Sequence, residues 1–143
     1  MELIYREVYQ TETMDEVNER LRVTEAEVTN AIAAHPFFAA QDADVLDAFL
    51  ALADNCNRLA AHEDGVIEIV VEAEENCVNI FLTAPCFLFQ IRQIILLQKI
   101  GALASEIVFD VTEEENSQIT VSFDFSQKND KLYAQFPGRL FEK

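Results

Sequence analysis

The spacing of the apolar residues changes once along the chain, near residue 65, and this change constrains the fold more than any other feature. Before it, apolar residues recur every three or four positions, which predicts helices. After it, Ile67, Ile69 and Val71 alternate with positions of the opposite face, which is typical of a strand with one buried side. The chain therefore combines a helical half with a half that is mainly sheet.

The elements after residue 65 read as a hairpin, a helix and a second hairpin. Strands are predicted at 66–74, 78–82, 107–111 and 119–125, and a long helix from Pro85 to about Leu103. This helix is apolar in almost every direction, which predicts burial on more than one side. The fold class is therefore α+β, with N-terminal helices followed by a hairpin, a long buried helix and a second hairpin that form one four-stranded, mostly antiparallel sheet. Residues 3–9 fit a strand or a helix equally well.

The length of the chain suits one domain. At 143 residues it can bury about 68–70% of its unfolded surface, enough for a real core. We predict a single domain that spans residues 1–143. It consists of a helical segment at residues 1–64, a hairpin–helix–hairpin segment at residues 65–127 and an aromatic, mildly basic tail at residues 128–143.

Residues 13–34 have the outline of a helix-turn-helix. Two short helices are predicted to meet at Arg22 and Val23, and a capping box at 24–27 marks the start of the second one. Arg22 stands where such turns often carry glycine. The first turn of the second helix carries two glutamates, which would repel DNA phosphates. A packed helical hairpin is the favoured interpretation.

Few residues in the chain can support catalysis. Its three glycines are far apart, so it lacks the glycine-rich loop that binds a nucleotide phosphate. It has only two histidines, and its three cysteines, Cys56, Cys77 and Cys86, contain no Cys-x-x-Cys pair. We therefore predict no catalytic residue, no metal site and no cofactor, and the odd cysteine count favours a reducing cytoplasm.

The charge balance limits the partners. Asp and Glu number 26 against 10 Lys and Arg, giving a formal net charge of −16. Nucleic acids and anionic membranes would be repelled, and the most apolar stretch, 87–103, contains too many polar residues to span a membrane. Neither a nucleic acid nor a membrane is expected as a partner, whereas a basic protein would be attracted.

Acidic residues gather on one face of the predicted sheet. Strand alternation places six carboxylates, and no basic residue, on the side away from the core: Glu68, Glu72, Glu74, Glu106, Asp110 and Asp124. Phe81 and Val108 lie among them. Apolar centres with charged rims are common in interfaces, so Phe81 and Val108 are predicted interface residues. A solvated face and a weak divalent-cation site are the alternatives.

Two of the scarce cations share one side of the long helix. Arg92 and Lys99 are seven positions apart, which is two helical turns. Together they would suit an anionic ligand in a pocket between this helix and the sheet. A salt bridge to a carboxylate of a neighbouring helix is the favoured alternative.

The tail 128–143 differs from the acidic body. It holds four basic and two acidic residues, a net charge of +2, and five large apolar side chains. Such side chains should leave water, so we expect the tail to pack on its own acidic body or on a second subunit. Tyr133, Phe136 and Phe141 are therefore predicted interface residues, and with the long helix they indicate a homodimer.

Taken together, these patterns favour a non-catalytic cytoplasmic protein that acts through protein–protein contacts, as a regulator or adaptor. One alternative is a small-ligand-binding domain with Arg92 as its polar anchor. Another is an acidic inhibitor that mimics the charge of a nucleic acid and occupies a basic protein.

Overall fold

The computed structural model of the protein describes residues 2–10, 14–61, 63, 65–87 and 91–125. Its elements are β1 (Glu2–Gln10), α1 (Met14–Ala34), α2 (Pro36–Ala39), α3 (Ala43–Ala61), β2 (Val66–Glu74), β3 (Cys77–Ala84), α4 (Ile91–Leu103), β4 (Glu106–Val111) and β5 (Ser117–Asp124). The strands form one antiparallel sheet in the order β1-β2-β3-β5-β4. The α+β class is confirmed, with five strands instead of four because residues 3–9 belong to β1.

The core lies between the sheet and the helices, which pack on one of its faces. Alternate residues of β2, β3 and β5 point into this layer, and they are buried together with the inner sides of α1, α3 and α4. Four rings, those of Phe38, Phe49, Phe123 and Phe125, form an aromatic cluster with centroids 4.8–5.8 Å apart. The other face of the sheet is left without a helix from the described parts of the chain.

Helix α1 runs without interruption through 21 residues, so the break predicted at Arg22 and Val23 is wrong. The two side chains of the capping box that suggested this break form hydrogen bonds with β1 instead. Thr24 is buried and its Oγ1 donates to Glu7 of β1 at 3.0 Å, while Glu27 accepts from the hydroxyl of Tyr5 at 2.9 Å. Because residues 14–34 contain no turn, a helix-turn-helix is not formed there.

Helix α4 is shorter than predicted. It begins at Ile91, and residues 85–87 are not helical. It packs on α3 through an inner side that includes Leu96 and Ile100. Ile91, Ile94 and Ile95 are 41–78% exposed in the described structure, so the burial of this second side, for which the sequence predicts the N-terminal helices or a second subunit, stays a prediction. Within the described structure α4 lies at the end of the helical layer, where no further helix covers its outer side.

Strand β4 is an edge strand, and this position limits the burial of its three residues that were predicted to belong to the core. Ile107, Phe109 and Val111 point to the same side as the β5 residues with which they pair, as the alternation predicts. Phe109 and Val111 are nevertheless 51% and 64% exposed. Their assignment to the core face is correct, but they are less buried than expected in the described structure, because no described helix extends over this edge.

A polar network joins the inner side of β1 to α1. Glu7 accepts a hydrogen bond from the hydroxyl of Thr24, contacts the hydroxyl of Tyr5 and forms an ion pair with Arg20. The guanidinium of Arg20 also lies 5.3 Å from the centre of the Tyr9 ring. Because the charged Glu7 lies between Tyr5 and Tyr9 on its inner side, β1 lacks a clear strand pattern. A charge that points inward also discourages pairing of further strands at this edge.

Candidate functional site

The face of the sheet that no described helix covers carries the predicted carboxylates. The strand register places all six on this side, half-buried or exposed: Glu68, Glu72, Glu74, Glu106, Asp110 and Asp124. We call it the acidic sheet face. Strand β1 adds Arg6, whose guanidinium pairs with Glu68 at 2.7 Å, so the expectation that this face lacks a basic residue is wrong. Six carboxylates and one guanidinium give the face a net charge of −5.

An apolar row crosses the middle of the acidic sheet face. In the register, Arg6, Val70, Phe81, Thr120 and Val108 lie side by side across the five strands, and Val70, Phe81 and Val108 are the apolar members for which we name the row. Val70 and Phe81 are half-buried by their neighbours in the sheet, and Val108 on the edge strand is 43% exposed. The structure thus brings the two predicted interface residues of the strands into one row, separated by Thr120.

Carboxylates and ordered polar side chains border this row on both sides. Glu68 and Asp110 lie along one border, and Glu72 and Glu106 lie along the other. Between them, the side chain of Gln118 donates to Thr83 at 3.2 Å and that of Ser122 donates to Asn79 at 2.6 Å. These cross-strand hydrogen bonds hold the polar side chains in place, so the face is an ordered surface with an apolar centre and acidic borders.

Cys77 lies at one end of the acidic sheet face, next to Glu74 and Asp124. Burial raises the pKa of its thiol, and the negative charges of Asp124 and Glu74 raise that pKa further. The thiol therefore stays protonated at neutral pH and offers no strong nucleophile.

The carboxylates of the acidic sheet face are spread over β2, β4 and β5 instead of converging on one point. Among the described residues, no group of three or more His, Cys, Asp or Glu side chains could hold a metal ion. Because its carboxylates are spread out, the acidic sheet face is suited to contact with an extended surface.

Over the same described ranges, no helix combines the length and the apolar character needed to cross a bilayer.

Arg92 and Lys99 line a groove between α3 and α4, which we call the α3–α4 groove. The groove lies between α3 and α4, whereas the pocket predicted from the sequence lay between the long helix and the sheet. The groove has a volume of about 700 Å³ and also contains Arg58 and Asp54 of α3, whose side chains pair at 3.0 Å. No local pattern in the sequence groups Arg58 with Arg92, since their proximity depends on the contact between the two helices.

The tail 128–143 and its predicted interface residues Tyr133, Phe136 and Phe141 lie outside the described residues. Their proposed role therefore stays a prediction.

Comparison of the chain with protein-family models and with curated proteins gives no match. Function is therefore argued from the geometry and the charge of the two surfaces described above.

Proposed function

We propose that the protein is a non-catalytic binding protein, a regulator or adaptor, whose acidic sheet face docks on a basic surface of a partner protein. The observation that carries the proposal is the apolar row through Val70, Phe81 and Val108, with carboxylates on both sides. Protein interfaces combine an apolar centre with a polar rim in this way. The cytoplasmic location predicted from the odd cysteine count belongs to the same proposal.

The size of the acidic sheet face suits a transient contact. Neighbouring strands lie about 4.8 Å apart and each residue adds about 3.4 Å along a strand. Five strands of six to nine residues therefore present a face of roughly 600 Å². A standard stable interface buries about 800 Å² on each partner, and transient complexes bury less. We therefore expect an association that forms and dissociates readily.

The charge of the face determines the class of partner. A net charge of −5 attracts a basic surface and repels the phosphates of a nucleic acid. Two copies stacked through this face would set two such charges against each other, so a basic protein is favoured over a second copy here. The homodimer predicted from the sequence would have to use another surface. An inhibitor that occupies the nucleic-acid site of a basic protein is one form of this proposal.

Affinity capture with charge-reversed variants tests the proposal. The immobilised full-length chain is used to capture proteins from an extract of its source cells, and each captured protein is quantified by mass spectrometry. We compare wild type with Glu72→Lys/Glu106→Lys on the face. The matched control is Glu25→Lys/Glu113→Lys, which makes the same charge change at exposed positions of α1 and of the β4–β5 turn.

The proposal predicts a basic protein that binds wild type and the control but not the face variant. Because exposed charges are screened within a few ångström at high ionic strength, salt of about 0.5 M should weaken this binding. Equal retention by all three proteins, or equal loss from both variants, would contradict the proposal. Melting curves of the three proteins verify that each is folded.

A further inference from the structure

The α3–α4 groove concentrates positive charge on an acidic protein. Three of the six Lys and Arg residues within the described parts of the chain line it: Arg58, Arg92 and Lys99. The other three each pair with a glutamate elsewhere. Asp54 is the one carboxylate among the described lining residues, whose formal charges sum to +2. In a chain with a net charge of −16, this is a local reversal of sign.

The one carboxylate among the described lining residues is engaged by Arg58. Asp54 accepts a hydrogen bond from Nε of Arg58, four residues along the same helix, at 3.0 Å. Among the described residues, Lys99 forms no ion pair. The sequence favoured a salt bridge to a neighbouring helix for both Arg92 and Lys99, and within the described residues Lys99 does not form one. Arg92 and Lys99 lie two turns apart on one side of α4. Their guanidinium and ammonium groups are therefore well placed to hold one anionic group between them.

Apolar side chains lie directly beside these cations. Ile91 and Ile95 are 78% and 47% exposed and line the same groove as Arg92 and Lys99. Ile91, Ile95 and Lys99 follow each other at intervals of four residues, so they form one row along α4, about 12 Å long at 1.5 Å per residue. The groove is thus amphipathic, since the apolar Ile91 and Ile95 lie next to the cations.

We propose that the α3–α4 groove binds an amphipathic organic anion. Its carboxylate or phosphate headgroup lies among Arg58, Arg92 and Lys99, and its hydrocarbon part covers Ile91 and Ile95. The volume of about 700 Å³ lies within the range of pockets that take small organic ligands, about 300–1,000 Å³.

A small anion fits this groove better than a macromolecule does. An acidic protein would carry many charges toward a chain of −16 and would be repelled during encounter. A ligand with one or two charges responds mainly to the cations within about 10 Å of it. A second copy placed groove to groove would bring two positive surfaces together.

Titration of the full-length protein with four soluble probes tests this inference, with amide chemical shifts as the readout. Octanoate and octyl phosphate carry both parts of the ligand, 1-octanol lacks the charge, and inorganic phosphate lacks the hydrocarbon. We expect octanoate or octyl phosphate to shift signals of α4 and the end of α3, and to bind at least about tenfold more tightly than 1-octanol and inorganic phosphate. The tighter of the two identifies the headgroup.

Variants of exposed residues locate the site. Lys99→Gln should weaken binding of the preferred probe about tenfold, because a hydrogen bond to a charged group is lost, and Ile91→Ser should weaken it several-fold. Arg22→Gln, an exposed arginine of α1, is the matched control and should bind as wild type does. Equal affinity for 1-octanol and octanoate, unchanged binding by Lys99→Gln, or shifts confined to other elements would overturn the inference. So would a wild-type dimer, seen by light scattering, that Ile91→Ser converts to monomer.

Discussion

Replacing Arg20 by methionine should measure how much the polar network between α1 and β1 stabilises the fold. Arg20 pairs with Glu7, donates from Nε to Thr24 at 3.3 Å and lies over the Tyr9 ring. Removing one partner of a buried ion pair costs about 3–5 kcal/mol. Here the two side chains are 25% and 13% exposed, and Glu7 keeps the hydroxyl of Thr24 as a donor. We therefore expect Arg20→Met to lower the free energy of unfolding by about 2–3 kcal/mol.

Urea unfolding followed by circular dichroism measures this loss, and Tm should fall by roughly 6–10 °C. Arg22→Met is the matched control on the same helix, because its pair with Glu19 is exposed and should contribute less than about 0.5 kcal/mol. Adding Glu7→Gln to Arg20→Met should recover some of the loss, since no charge is then left without its partner. A loss below about 1 kcal/mol for Arg20→Met, or a double variant that is less stable still, would refute this reasoning.

Two other predictions rest on burial. Phe49 is fully buried in the aromatic cluster, so Phe49→Ala should lower the free energy of unfolding by about 3–5 kcal/mol in urea; a loss below about 1 kcal/mol would show that the cluster is not closely packed. Iodoacetamide at pH 8 should alkylate the exposed Cys86 first and Cys77 more slowly, because burial and nearby carboxylates raise the pKa of the Cys77 thiol. Cys56 is fully buried, which raises its pKa strongly, so it should react only after unfolding. Peptide mass spectrometry gives the order, and a Cys56 as reactive as Cys86 in the folded protein would contradict the structure.

Strict alternation made the sheet half of the fold predictable. In residues 66–74 every second side chain is apolar and faces the core, and a shift by one residue would expose the whole buried set. The side on which Glu68 and Glu72 lie therefore followed from local sequence. The same pattern could not show that Phe109 stays half exposed, because its burial depends on β4 being an edge strand.

The helical half was less predictable because tertiary contacts replaced local ones. Thr24 and Glu27 have the spacing of a capping box, yet both side chains bond to residues of β1, and α1 continues past them. Their hydrogen bonds reach Glu7 and Tyr5, 17 and 22 positions away in the chain. The α3–α4 groove could not be predicted from the sequence for the same reason, since Arg58 and Lys99 come together only when α4 packs on α3.

The central claim is that a basic partner docks on the acidic sheet face, and the affinity of the captured protein for two phenylalanine variants tests it most directly. Phe81 lies in the apolar row of that face, whereas Phe109 lies on the opposite side of the same sheet. Aromatic residues at the centre of an interface carry a large share of its binding energy. Surface plasmon resonance, on variants shown to be folded by their melting curves, should find Phe81→Ala at least about tenfold weaker than wild type. Phe109→Ala should bind as wild type does, and equal affinities for the two variants would contradict the account.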